Sequence, residues 1–232
     1  MTMCRKFGFT LAEVLITLAI IGIVAALTLP TLIQKYQMKV FATAFKKQYS
    51  AIQNVLDYLY LEEGLSNCYV YVKTSYLAVS SDCSAIHDGI AEKMKLTNSN
   101  INFTSLDYQT DSSKVIADGG KFINSGVNYY ATTHALNKAF LSPDGSYIFF
   151  GHFSNPDAFQ NAIIVIDING KKGPNKWGYD LFFLTLSNRN NTGKIFLTDE
   201  YYSITEKGGV LPRTILQNKE KSEDSDYDWY WK

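Results

Sequence analysis

From Val14 to Ile33 the chain carries no charged residue over 20 positions. As an α-helix rising about 1.5 Å per residue, that run spans roughly 30 Å, the hydrocarbon thickness of a bilayer. Beyond Pro30 the pattern changes to an amphipathic one, with Phe41, Ala44, Phe45, Gln48, Tyr49, Ile52, Leu56 and Leu59 recurring mainly at spacings of three and four. Lys35, Lys39, Lys46, Lys47, Asp57, Glu62 and Glu63 are left for the wet side, and Gly64 supplies a stop. The pattern predicts one helix from about Thr10 to about Glu63, kinked or loosened at Pro30, where a backbone donor is missing. Leu65 to Leu96 reads as a connector holding a helix at Ala85 to Leu96, in which Ile86, Ile90 and Met94 are spaced by four and Gly89 is a weakness.

Further on, strand-like runs alternate with turn residues: Ile101 to Leu106, Lys114 to Ala117, Lys121 to Asn124, Val127 to Ala131, Ser146 to Phe150, Ala162 to Ile168, Tyr179 to Leu186 and Lys194 to Leu197. Asp118-Gly119-Gly120 and Pro143-Asp144-Gly145 have the composition of tight turns. The expected fold class is α+β, a long helix laid across an antiparallel sheet. Composition adds a bound: 232 residues with 46% apolar and 14% aromatic content are enough for a folded domain and exclude a disordered or collagenous chain. Lys+Arg and Asp+Glu are equal at 22 each, so the basic excess of a dedicated nucleic-acid binder is missing and no nucleic acid is expected as a partner.

The apolar run follows a short leader bearing Arg5 and Lys6, as a secretory signal would. It is longer than a signal core, however, and passes without an A-x-A site into Gln34-Lys35-Tyr36-Gln37, which continues the helical pattern. Glu13 is the informative residue, because a carboxylate at the edge of a lipid-facing segment is costly and normally has a partner or a task. Its surroundings, Gly8-Phe9-Thr10-Leu11-Ala12-Glu13 followed at once by Val14-Leu15-Ile16-Thr17-Leu18-Ala19-Ile20-Ile21-Gly22-Ile23-Val24, resemble the start of type IV pilins and type II secretion pseudopilins. The resemblance covers about the first 55 residues.

That resemblance implies a leader, residues 1–8, cut between Gly8 and Phe9 by a prepilin peptidase that then methylates the new amine of Phe9. Residues 9–33 would be kept as a single membrane span and later as filament core, residues 34–218 would form a periplasmic or extracellular globular domain, and 219–232 a tail. Glu13 would neutralise the terminal amine of a neighbouring subunit as it joins the filament, two costly charges cancelling when the register is right. A carboxylate solvated at headgroup level is the plainer alternative. The implied partners are the peptidase, like or related pilin subunits, an inner-membrane assembly platform and the membrane itself.

Loss of the leader would remove Cys4 and leave Cys68 and Cys83 beyond the membrane. An even pair outside the reducing cytoplasm reads as a disulfide. Closing the 14-residue loop between them would contribute about 3 kcal/mol; two free thiols are the alternative. Between the two best strands, Asp167-Ile168-Asn169-Gly170 begins like a calcium loop but fails the EF-hand pattern, with Lys171, Lys172 and Gly178 where ligands and the turn glycine belong. The continuation to Pro174-Asn175, Gly178 and Asp180 looks like the carboxy-terminal loop of some pseudopilins. Asp167, Asn169 and Asp180 would supply oxygens to a cation, whereas Asx turns account for the same residues without a metal, so no metal or cofactor is assigned.

His87, His134 and His152 are dispersed, and no H-E-x-x-H, G-x-S-x-G, P-loop or dinucleotide fingerprint occurs, so no catalytic residue and no enzyme activity is expected. After Lys219 the chain is acidic, with Glu220, Glu223, Asp224, Asp226 and Asp228, then aromatic, with Trp229, Tyr230 and Trp231. It is read either as a solvated end or as a partner-binding peptide. The expected function is a structural subunit of a type IV pilus-like filament, favoured as a type II secretion pseudopilin because of the D-x-N-G region. A pilin for adhesion, motility or DNA uptake is the near alternative, and a monomeric membrane-tethered binding protein the distant one.

Overall fold

The structure, a computed structural model, describes residues 8–64, 70–73, 76–79, 81–99, 115–117, 121–122, 138–152, 162–187, 195–199, 204–206 and 209–219. The chain divides into two compact units, residues 1–40 and 41–232. Helix α1, Leu11–Glu62, is uninterrupted. Pro30 therefore lies inside the helix without ending it, as expected of one helix running from about Thr10 to about Glu63, and Thr28 and Thr31 donate their hydroxyls to Val24 O and Thr28 O in the same stretch. Gly64 closes the helix with φ +66°, the left-handed stop that glycine adopts without a Cβ clash.

In the first unit the large apolar side chains of α1 from Leu11 to Ile33 are exposed, and the helix is long and apolar enough to cross a membrane by length and composition. In the second unit the helix shows its other character. Phe45, Gln48, Ile52, Leu56 and Leu59 are buried at the predicted spacings. Phe45 packs on Phe182 of a six-stranded antiparallel sheet of order β10-β9-β8-β7-β6-β3, formed by β3 (Thr97–Asn98), β6 (Lys138–Leu141), β7 (Tyr147–His152), β8 (Ala162–Asp167), β9 (Leu181–Ser187) and β10 (Phe196–Thr198). Registers Ile148↔Ile166 and Ile166↔Phe182 bring these residues to one face. There the Phe45 and Phe182 rings lie 4.3 Å apart. The opposite face carries Phe149, Val165 and Phe183, with the Trp177 ring 6.3 Å from Phe183. Covering both faces explains why β8 and β9 are continuous apolar runs rather than alternating ones.

Helix α2, Ser81–Lys93, begins four residues before the expected position and ends before Lys95, which takes φ +54°. Its glycine sits against α1: a Cβ on Gly89 would lie 2.8 Å from Leu59 Cδ2, so the tip of that leucine would have to shift to admit one. Lys93 stands 4.8 Å over the Tyr58 ring and 3.4 Å from the Glu63 carboxylate. The connector reading is corrected by a hairpin of β1 (Val70–Lys73) and β2 (Tyr76–Val79). β6 and β11 (Ile204–Glu206) are likewise additions, and β11 joins β4 (Val115–Ala117) and β5 (Lys121–Phe122) in a three-stranded sheet. These strands are two to four residues long, too short to carry a period. A one-turn helix, α3 (Pro212–Leu216), follows β11, with Pro at its start. The strands expected at 101–106 and 127–131, the turn at 118–120, Cys68, the Cys83 side chain and the tail after residue 219 lie outside the described residues.

Two polar residues of α1 tie it to the sheet. Gln48, 3% exposed, donates through Nε2 to Asp144 Oδ2 at 2.7 Å and to Ser146 Oγ at 2.8 Å, inside the turn that joins β6 to β7. Asp144 also receives Lys47 Nζ at 3.2 Å and the Ser146 hydroxyl at 2.8 Å. Partial burial opposes ionisation of Asp144, but these donors outweigh it and hold the carboxyl at about 2. Along the sheet edge, Tyr49 OH donates to Leu197 O at 2.9 Å and Gln53 Oε1 accepts from Leu197 N at 3.0 Å. The free backbone of β10 is thereby occupied by the helix rather than left to another chain.

A carboxyl held below its unfolded value stabilises the fold above the unfolded pKa and loses that contribution as pH falls through the folded one. Asp144→Asn is expected to cost about 1 kcal/mol near neutrality, discounted for solvent screening. The Tm gap to the unsubstituted chain should close between about pH 5 and about pH 2. A pH-independent gap in thermal unfolding would contradict this assignment.

Candidate functional site

Helix initiation leaves four backbone N–H groups without helical acceptors, a particular expense where the next turns are apolar. The chain meets that expense with Thr10 and Glu13. Glu13 N donates to Thr10 Oγ1 at 3.2 Å, and Thr10 N donates to Glu13 Oε2 at 2.8 Å. This reciprocal arrangement is a capping box, for which a T-x-x-E spacing is required. The Thr10 hydroxyl adds a 2.9 Å bond to the same Oε2, and Val14 N donates to Thr10 O at 3.2 Å. Both of the bonds that the Glu13 carboxylate accepts from Thr10 therefore fall on one oxygen, and Oε1 takes no hydrogen bond from the described residues.

Gly8, Phe9 and Thr10 precede the first helical residue, and Phe9 is 89% exposed. The three residues expected to act at this end, Gly8, Phe9 and Glu13, thus stand at the junction between a non-helical segment and α1. Farther along, Thr17 Oγ1 bonds Glu13 O at 3.0 Å and Val14 O at 2.9 Å, so its hydroxyl is satisfied within the helix. An apolar helix that meets its polar needs internally suits a hydrocarbon environment.

The second candidate is the loop joining β8 to β9. Asp167 is fully buried, and its Oδ1 accepts from Asn169 N at 3.2 Å and Gly170 N at 2.9 Å. Asp180, also fully buried, accepts from Asn175 N at 2.8 Å and Lys176 N at 2.7 Å. Burial pushes the Asp180 carboxyl above its usual value, against the pull of those N–H groups and of Asn169. Asn169 itself spans the loop, its Nδ2 donating to Gly173 O at 3.1 Å. The carboxylates thus act as Asx-type turn acceptors, and a cation would have to compete with four N–H donors for them. Asn169 Oδ1 and Asn175 Oδ1 are buried without a hydrogen bond. Two neutral oxygens alone make a poor divalent site, which takes about six to eight, carboxylates among them. Among the described residues no group of three or more His, Cys, Asp or Glu side chains gathers in one place.

Sequence reasoning missed the partner of this loop. Trp177, fully buried, donates its backbone N–H to Glu206 Oε1 at 3.2 Å, Glu206 N returns a bond to Trp177 O at 3.0 Å, and Val210 N bonds Gly178 O at 2.8 Å. Gly178 has φ +77°, and any Cβ there would run into Thr205 Oγ1, while one on Gly209 would lie 2.6 Å from Trp177 O. Gly209 and the acidic Glu206 were the available signals, but nothing local ties them to Trp177, 29 residues away. The described histidine, His87, stacks on Phe150 at 4.6 Å and is a packing residue. His134, together with the side chain of His152, lies outside the described residues.

Residues 3–29 match the family model of the prokaryotic N-terminal methylation motif. No curated protein and no solved structure matches the chain. The motif is the signature of type IV pilins and pseudopilins, and it supports a type IV pilin-like protein processed by a prepilin peptidase and assembled with pilin-like subunits. Together with the apolar α1 it fits anchoring in an inner membrane.

For the loop, Asp180→Ala would leave the part-buried N–H groups of Asn175 and Lys176 without this acceptor. The expected cost is about 3 kcal/mol, read as a Tm lower by roughly 6–12 °C. A Tm within a degree or two of the unsubstituted chain would remove the turn-forming role.

Proposed function

We propose that this chain is a structural subunit of a type IV pilus-like filament, and within that class a type II secretion pseudopilin. The observation that carries the reading is the order Gly8, Phe9, Thr10, Glu13 set on a helix whose next 20 residues are uncharged. A peptidase cuts between Gly8 and Phe9 and methylates the new amine, while the helix stays in the inner membrane as the subunit's anchor. Assembly moves the apolar half of α1 from lipid into a bundle of like helices, a transfer between two apolar surroundings that leaves the hydrophobic term nearly unchanged. Register is then set by charge: the carboxylate of Glu13 takes the amine of Phe9 from a neighbouring subunit, both ions being costly alone and neutral together. Glu13 Oε1 is the oxygen available to that amine, since Oε2 already caps its own helix. The D-x-N-G loop, which looks like that of some pseudopilins, favours the secretion filament over a surface pilus.

The first experiment is mass spectrometry of the amino-terminal peptide of the membrane-extracted protein. A terminus at Phe9 with one added methyl is expected, and an uncut leader, or a cut beyond Pro30, would overturn the proposal. Glu13→Gln separates the two tasks of this residue, because an amide still fills the third position of a capping box but carries no charge. It should be cleaved normally yet enter the sheared filament fraction about tenfold less efficiently. Normal incorporation would remove the charge-pairing step.

A further inference from the structure

The start of α1 is fixed by side chains, not by the apolar pattern. Phe9 and Leu11 are both apolar, so hydropathy alone would let the helix run back across the Gly8–Phe9 bond. In a membrane there is a strong incentive for it to do so, because each further turn supplies acceptors for N–H groups that lipid cannot satisfy. Thr10 removes that incentive. Its hydroxyl accepts from Glu13 N and its own N–H is taken by Glu13 Oε2, so the turn is closed at Thr10 and the two residues before it stay out of the helix.

We infer that Thr10 is a positioning residue for amino-terminal processing: by capping α1 it keeps the Gly8–Phe9 bond extended and exposed, where a peptidase can take it. The inference rests on the processing reading above and adds to it a residue that contributes neither to the cut bond nor to the charge pair. Hydrolysis adds water across that bond, leaving a carboxylate on Gly8 and an amine on Phe9. Attack needs the Gly8 carbonyl accessible, whereas a helical carbonyl is engaged by the N–H four residues on and its peptide is wrapped in a turn. The cap also sets reach. From Gly8 to Thr10 the two residue steps span about 7 Å when extended and about 3 Å when helical, so the cap holds the cut bond up to about 4 Å farther from the apolar run.

The test uses the full chain in membranes that contain a prepilin peptidase, with the initial rate of Gly8–Phe9 cleavage followed by pulse-chase in the carbonate-resistant membrane fraction, so that only inserted chains count. Thr10→Val keeps the shape of threonine and removes the cap, while Thr10→Ser and Thr10→Asn restore a capping oxygen on different frames. Val is expected to slow cleavage about fivefold or more, with Ser and Asn within about twofold of threonine. Cleavage of Thr10→Val at the unsubstituted rate overturns the inference while leaving the processing reading intact. So does equal slowing of all three variants, which would mean that the peptidase reads threonine itself. If the unsubstituted chain is not cut at all, the processing reading fails and this inference fails with it.

Discussion

A buried or lipid-facing backbone must find acceptors for its own N–H groups, and the rest of this structure depends on how α1 meets that demand along its length. Within the helix the regular ladder is sufficient, and Thr17, Thr28 and Thr31 fold their hydroxyls back onto it. At its start the ladder has no acceptors to offer, and Thr10 and Glu13 supply them. Glu13 is thereby both a structural carboxylate and a charge, which accounts for an acid at the edge of an otherwise uncharged run.

In the second unit the same helix serves as the organiser of a sheet. The apolar contacts of Phe45, Ile52, Leu56 and Leu59 provide burial but tolerate sliding. Polar contacts do not. Gln48 seated among Ser142, Asp144 and Ser146 fixes the helix against one hairpin turn, and Tyr49 with Gln53 fixes it against the far edge strand. A buried glutamine Nε2 costs desolvation unless it finds acceptors, and Ser142, Asp144 and Ser146 supply them in this register. Occupying the edge of β10 has a further effect: the sheet offers less backbone for unprogrammed pairing.

The loop between β8 and β9 shows carboxylates used as backbone acceptors instead of as ligands. Asp167 and Asp180 each close a turn, and the turns place Trp177 under the sheet face opposite α1, where Glu206 holds it. A sheet packed on both faces requires such a cover, since a single helix shields only one of them.

Much of this was legible in the sequence wherever the determinant is local. The period of three and four predicted the buried face of α1, Gly64 its end, and the strands β7 to β10 followed from runs of apolar and β-branched residues. The motif from Gly8 to Glu13 was readable because its residues and the apolar run that follows are contiguous, whereas the capping box that Thr10 and Glu13 form appeared only in the structure. What the sequence did not disclose are relations between distant positions: Gln48 with Asp144, Trp177 with Glu206, Gly89 against Leu59. Gly89 looked like a defect in a helix until the structure set Leu59 of α1 against it. Strands of two to four residues, such as β3 and β11, exist because neighbours complete their hydrogen bonds, and no period can form over so few positions. Local patterning thus determined the elements and the motif at the start of the chain, while tertiary structure decided which polar groups are buried together, because only the folded chain brings each donor to its acceptor.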